Sequence, residues 1–186
     1  MLFRSDERDL AVWQVVANGL RSLGRLVDGD ALDRLRLRVA RLVGPVLSDL
    51  GWDPVEGEGD LRAKLRGLLV MLLAINGNDV ATRERCRILL RTAQADSNAV
   101  DPELTAAATT VVATFGDSSD YEDMKGRFQS ADTPQERLRY LYALADFDSP
   151  ELVRRTCEFA LGGEVKTQNA PFLLGRCIAK IGRAHV

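Results

Sequence analysis

Asp101-Pro102, Thr133-Pro134 and Ser149-Pro150 each set a capping side chain directly before a proline, and this arrangement constrains the fold more than any other feature. The side-chain oxygen accepts an orphan backbone N–H at a helix start, and proline fits the first helical position because its missing N–H is not needed there. Glu136 follows Thr133 at the spacing of a capping box. Helices are therefore predicted to begin at Pro102, Pro134 and Pro150, with others over Ser119–Gln129 and from Ala170.

The first half is read from periodicity. Leu10, Trp13, Val16, Ala17, Leu20 and Leu23 predict a helix over Asp6–Val27, broken by Asp28-Gly29-Asp30. Leu35, Val39, Leu42 and Val46 predict a second, ending near Leu50, with a kink or break at Gly44-Pro45 because an interior proline removes a backbone bond. A third, over Asp60–Ile75, is apolar on nearly all sides, as a helix buried between neighbours would be. Asn76-Gly77-Asn78-Asp79 reads as a turn, and a fourth helix follows over Val80–Ala95. No segment alternates convincingly as a strand does. Short helices on short turns predict an all-α fold, a truncated right-handed superhelix of antiparallel helix pairs of HEAT or armadillo type. Single helices of this length are marginal in water, so the faces Leu138, Leu141, Tyr142, Leu144, Ala145 and Leu152, Val153, Cys157, Phe159, Ala160, Leu161 are expected to be covered by neighbours. A truncated array has open ends and is expected to be stickier than an intact one.

Met1–Ser5 and Ile181–Val186 fit neither flanking helix and look like in-frame translations of a sequencing adapter, which would leave Asp6–Lys180 as the biological chain. On that reading the sole histidine, His185, is foreign. The 186 residues are 46% hydrophobic and 28% charged, as in a soluble globular domain. Net charge is −2, and discounting Arg4 and Arg183 makes it more acidic, which argues against a nucleic-acid partner. The longest apolar run, Leu68–Ile75, falls well short of the 18 or so residues of a membrane span. Cys86, Cys157 and Cys177 form no C-x-x-C pair and read as buried thiols in a reducing compartment.

Candidate sites are few. Gly57-Glu58-Gly59-Asp60 precedes a helix as phosphate loops do, but its carboxylates oppose an anion and suit the positive helix end instead. Asp117, Asp120, Glu122 and Asp123 lack the ligand spacing of a calcium loop and read as a helix stop at Gly116 followed by an acidic first turn. Arg34, Arg38 and Arg41 share one face, with Arg36 beside it, and read as solvated. Glu164-Val165-Lys166-Thr167-Gln168-Asn169 follows Gly162-Gly163, so a left-handed glycine cap would end one helix and Asn169 or a neighbour would cap the next, with Pro171 in its first turn. There is no H-E-x-x-H motif and no G-x-S-x-G elbow, and neither a Ser nor a Cys nucleophile has a histidine base. No catalytic residue and no metal ligand is expected.

Leu50-Gly51-Trp52-Asp53-Pro54, Gly57-Glu58, Leu61 and Leu65-Arg66-Gly67-Leu68 resemble a connection in the C-terminal helical domain of gluzincin zinc aminopeptidases, the family of the puromycin-sensitive and endoplasmic-reticulum aminopeptidases and bacterial aminopeptidase N. Phe115-Gly116-Asp117 with Tyr121, Pro134–Leu144 and Glu158–Asn169 extend the similarity in order and spacing. Gly51, Trp52, Pro54, Glu58 and Arg66 are its structural signature. The resemblance implies a non-catalytic helical superhelix that closes over a zinc domain, encloses a cavity and helps admit peptides. It places the zinc in the missing catalytic domain and makes that upstream domain and peptide substrates the partners. It also implies that Lys166, Gln168 and Asn169 face the substrate cavity. Soluble bacterial relatives imply the cytoplasm. The competing expectation is an independent HEAT-like scaffold that binds another protein on its concave face.

Overall fold

The computed structural model describes residues 7–181, and every regular element among them is helical. The chain divides into two compact units after Val111. The suspected adapter segments lie outside the described residues except for Ile181, which closes the last helix rather than standing apart from it.

The first unit contains α1 (Leu10–Leu26), α2 (Gly29–Leu50), α3 (Asp60–Met71), a π-helical turn (Leu72–Asn76), α4 (Val80–Ala95) and the start of α5 (Pro102–Phe115). Asp9 caps α1, its carboxylate accepting from the Ala11 and Val12 N–H groups. Helix α3 with its π turn is the central element: α1, α2 and α4 all pack on it. That position explains its apolar circumference, with Leu65, Leu68, Leu69, Val70, Leu72 and Ala74 buried. The expected helix to Ile75 is present, but its last turn widens so that the Gly77 N–H bonds the Leu72 carbonyl at 2.9 Å. Asn78 then adopts a positive φ of 56°, and Asp79 caps α4 through the Thr82 N–H at 2.7 Å. Cys86 is fully buried, and burial pushes its thiol up to about 12.

The expected break at Gly44-Pro45 does not occur, because α2 runs unbroken to Leu50. Pro45 and Arg41 are exposed while Val43, Val46 and Leu47 are buried. The carbonyl that loses its donor, on Arg41, therefore belongs to the solvent side, where water can satisfy it, and the buried side holds the helix together. Arg34, Arg38 and Arg41 are exposed and Arg36 pairs with Asp33 at 2.9 Å, a solvated face as expected.

The signature connection leaves α2 at Gly51, whose φ of 77° favours glycine and whose N–H closes on the Leu47 carbonyl at 3.0 Å. The Arg85 guanidinium stacks 4.3 Å from the Trp52 ring centroid. Glu58 does not serve the α3 dipole as expected. Its carboxylate, with its side chain 4% exposed, is held by the wholly buried Arg66 at 2.5 and 2.6 Å. Arg62 approaches the same carboxylate at 3.3 Å, and Arg66 Nε donates to the Gly51 carbonyl at 2.8 Å. The hydrogen bond from Arg66 holds the Glu58 carboxyl below its ordinary 4.5, against the opposing effect of burial.

The second unit holds the end of α5, then α6 (Ser118–Ser130), α7 (Pro134–Ala143), α8 (Pro150–Leu161) and α9 (Ala170–Ile181). Helix α6 packs on α7, and α9 packs on both α8 and α7. Tyr121, Met124, Leu141, Leu144, Phe147, Leu152 and Leu173 form its core. Leu161, expected on the inward face, is instead 74% exposed because α8 ends there, and Leu138 is also exposed, at the margin of the buried face of α7. The Thr156 hydroxyl lies 2.9 Å from the Leu144 and Leu152 carbonyls and 3.2 Å from the Tyr121 hydroxyl. The helix starts at Pro102, Pro134 and Pro150 are as expected, but their caps differ. Asp101 caps α5 through the Glu103 and Leu104 N–H groups. Thr133 accepts from the Glu136 N–H at 3.2 Å, while Ser149 makes no side-chain cap bond. A reciprocal capping box forms instead between Asp117 and Asp120. Asp123 pairs with Arg127 and Glu122 with Arg155, so ion pairs and a cap account for the acidic cluster. Cys157 is half-buried rather than buried; burial pushes the Cys177 thiol up to about 12, and the neighbouring Cys157 adds to the rise.

Candidate functional site

The polar stretch after α8 is held by a buried residue and a side-chain tie. Gly163 turns the chain at φ 87°, a conformation that favours glycine, just past the end of α8. Val165 then inserts into the core, 5% exposed, so that Glu164 and Lys166 on either side project outward. Lys166 accepts the Asn169 N–H at its backbone carbonyl at 2.8 Å, rounding the turn into α9. Asn169 occupies the cap position, its carbonyl receiving the Leu173 N–H at 3.1 Å. The Glu164 carboxylate accepts from Gln129 Nε2 at 2.7 Å, which ties the turn to the end of α6.

This tie brings the turn opposite the α6–α7 connection, and between them lies a cleft of about 260 Å³. Phe128, Ala131, Pro134 and Leu138 supply its apolar surface. Arg137, Lys166, Gln168 and Asn169 supply donors, and Asp132 and Glu164 supply carboxylates. The three residues expected to face a substrate cavity, Lys166, Gln168 and Asn169, thus line one cleft together. The Arg137 guanidinium donates to the Ala131 carbonyl at 3.1 Å, which fixes the opposite wall. Among the described residues, no ion pair or side-chain hydrogen bond engages Lys166, Gln168 or Asn169.

Sequence reasoning missed Phe128, Thr133 and Arg137 as parts of this wall. Thr133 was legible only as a cap, and nothing local in the sequence signals that the α6–α7 connection faces a turn some thirty residues later. The signature residues Gly51, Trp52, Pro54, Glu58 and Arg66 lie in the other unit and form a clasp between helices, not a wall of the cleft.

The groups lining the cleft suit it to binding. Its volume sits just below the range of small-molecule pockets, about 300–1,000 Å³, and suits one or two side chains of an extended ligand. A flexible ammonium and two amides can donate to carbonyl or carboxylate oxygens, and the apolar floor can take an aliphatic or aromatic group. Among the described residues no group of His, Cys, Asp or Glu side chains could hold a metal ion. No described helix is long and apolar enough to cross a membrane.

Residues 1–186 match the family described as ERAP1-like C-terminal domain. The chain is 30% identical over 149 residues to Aminopeptidase M1-A of Oryza sativa subsp. japonica, covering 78% of this chain and 17% of that protein. It is 36% identical over 126 residues to Aminopeptidase M1 of Arabidopsis thaliana, covering 65% and 14% respectively. With the Alanine/arginine aminopeptidase of Saccharomyces cerevisiae it shares 26% identity over 167 residues, 88% of this chain and 20% of the yeast protein. The matched stretch lies in the C-terminal part of these relatives, and the chain spans a fifth or less of their length.

Proposed function

This chain belongs to the ERAP1-like C-terminal domain family, and on that premise we propose that it is the non-catalytic helical part of a zinc aminopeptidase, covering the active-site cavity and helping to admit and position peptides. The observation that carries the reading is the match along the whole chain to this domain together with its alignment to the C-terminal part of aminopeptidases. The cleft supports it: unengaged donors on a pinned turn suit the carbonyls of a peptide, and the apolar floor suits a side chain.

The division of labour follows from the donor sets. Zinc in such an enzyme polarises a carbonyl and activates water, and needs three or four nitrogen, sulfur or carboxylate donors converging on one point. On this reading the metal would be held by a preceding catalytic domain of the same polypeptide, with which the lack of such a group among the described residues is compatible. What these helices contribute is shape, exclusion of water and contact with parts of the peptide remote from the scissile bond, which raise the rate only through positioning. The cytoplasm is the compartment that fits this reading.

The test is the longer reading frame in which this chain sits. Its purified product should release N-terminal residues from peptides and lose that activity to a zinc chelator, while the 186-residue chain alone does neither. A longer product with no zinc motif upstream and no such activity would sink the reading and favour a HEAT-like protein-binding scaffold.

A further inference from the structure

We propose that Cys157 and Cys177 form an oxidative modification site, where a hydroperoxide joins the pair in a reversible disulfide that staples α8 to α9 across the turn lining the cleft. Cys157 lies one helical turn after Val153 on α8, and Cys177 one turn after Leu173 on α9. Val153 and Leu173 are buried and the two helices pack together, so both cysteines belong to the faces that α8 and α9 share. Both are free thiols, and their side chains are hydrogen-bonded to each other. Thiols already in contact need little further approach to form a bond.

The two thiols differ in access, which divides the chemistry between them. Cys157 is half-buried and open to a small oxidant, whereas Cys177 is fully buried. Cys157, deprotonated, attacks the terminal oxygen of the hydroperoxide. The O–O bond breaks, the alcohol leaves with a proton, and Cys157 becomes a sulfenic acid. Cys177 loses its proton and attacks that sulfur; an S–S bond forms, the S–O bond breaks, and water departs. Two thiols are thereby oxidised and one peroxide is reduced to alcohol and water. Burial, and after it the charge of Cys157, hold the Cys177 thiol up to about 12. A neutral sulfenic acid at Cys157 removes that charge, so the first step eases the second.

The pair brackets the turn that carries Lys166, Gln168 and Asn169. Closing this segment as a loop removes the openings in which α9 leaves α8, and so stiffens one wall of the cleft. In a reducing compartment such a bond is transient, as in a redox sensor. The site stands whether or not the cleft takes a peptide. Cys86, fully buried in the other unit, supplies an internal control.

The test treats the 186-residue chain with hydrogen peroxide and maps its thiols by peptide mass without reduction. The α8 and α9 peptides should be linked within one chain, Cys86 should stay free, and dithiothreitol should restore both thiols. In Cys177→Ala, Cys157 should persist as a sulfenic acid that dimedone traps; trapping in the wild-type chain should be about tenfold lower or less. Trypsin should cut after Lys166 about threefold more slowly, or slower still, in the oxidised chain, relative to its cut after Arg38 in the other unit. The peptide map needs no variant, so it decides the linkage even if Cys177→Ala fails to fold. Absence of the linked pair with Cys157 over-oxidised would overturn the proposal, and so would linkage only between chains. A linked chain cut after Lys166 as fast as the reduced one would overturn the stiffening of the turn.

Discussion

Arg66 is the residue on which the first unit turns. Its guanidinium spends all three nitrogens inside the protein, two on Glu58 and one on the Gly51 carbonyl. Removing one partner of a buried pair strands the other charge away from water, so Arg66→Met should lower stability by about 3–5 kcal/mol in urea unfolding. Lysine would keep the charge but not the fork. The pair also sets a pH dependence. Because Arg66 holds the Glu58 carboxyl below 4.5, its stabilisation is fully present above that value and is lost as pH falls through the lower folded value. The stability gap between the wild-type chain and Glu58→Gln should therefore be constant above about pH 6 and shrink towards about pH 3. A gap that widens in acid would show that Glu58 is not ionised in the fold. The resemblance grouped these residues without revealing that they touch. An arginine between Leu65 and Leu68 on a helix apolar all round was the available clue, because such a charge needs a buried partner. Its identity depended on the path of an irregular connection, which no periodicity specifies.

At the level of elements, what was legible was local. Helix starts at Pro102, Pro134 and Pro150 follow from chemistry within four residues, and the structure begins helices there. The Val80–Ala95 helix was equally plain between a turn and its last apolar residue. The errors came where a neighbour overrode a local rule. Pro45 sits inside α2 because buried Val43, Val46 and Leu47 hold the segment helical on the opposite side. The same geometry yields a prediction: Pro45→Ala restores a donor to the Arg41 carbonyl and should stabilise the chain by roughly 1–3 kcal/mol. A destabilised variant would mean that the proline ring packs on something the exposed face conceals. Ser149 failed as a cap for a comparable reason, since sequence fixes the cap position but not the rotamer of the side chain in it.

For the whole molecule, the family was legible through resemblance and the cleft only in part. Lys166, Gln168 and Asn169 were identifiable as a polar turn between helices, whereas the wall facing them is brought there by packing of α6 and α7. In the longer polypeptide, Lys166→Ala, Gln168→Ala and Asn169→Ala should each raise KM for peptides by roughly threefold to tenfold, the loss of one hydrogen bond of about 0.5–1.5 kcal/mol. If the three residues contact only the parts of a peptide remote from its N-terminus, hydrolysis of a single-residue aminoacyl amide should keep its kcat and KM. A change in both substrates alike would place the three residues in general stability rather than in peptide contact. Val165 gives this arrangement its broader meaning. Val165 anchors the turn in the core and Glu164 ties it to α6, so the remaining outward side chains, Lys166, Thr167 and Gln168, carry no duty to the core. Such a segment can exchange those three side chains without refolding, so the chemistry of the cleft can drift while its architecture stays still.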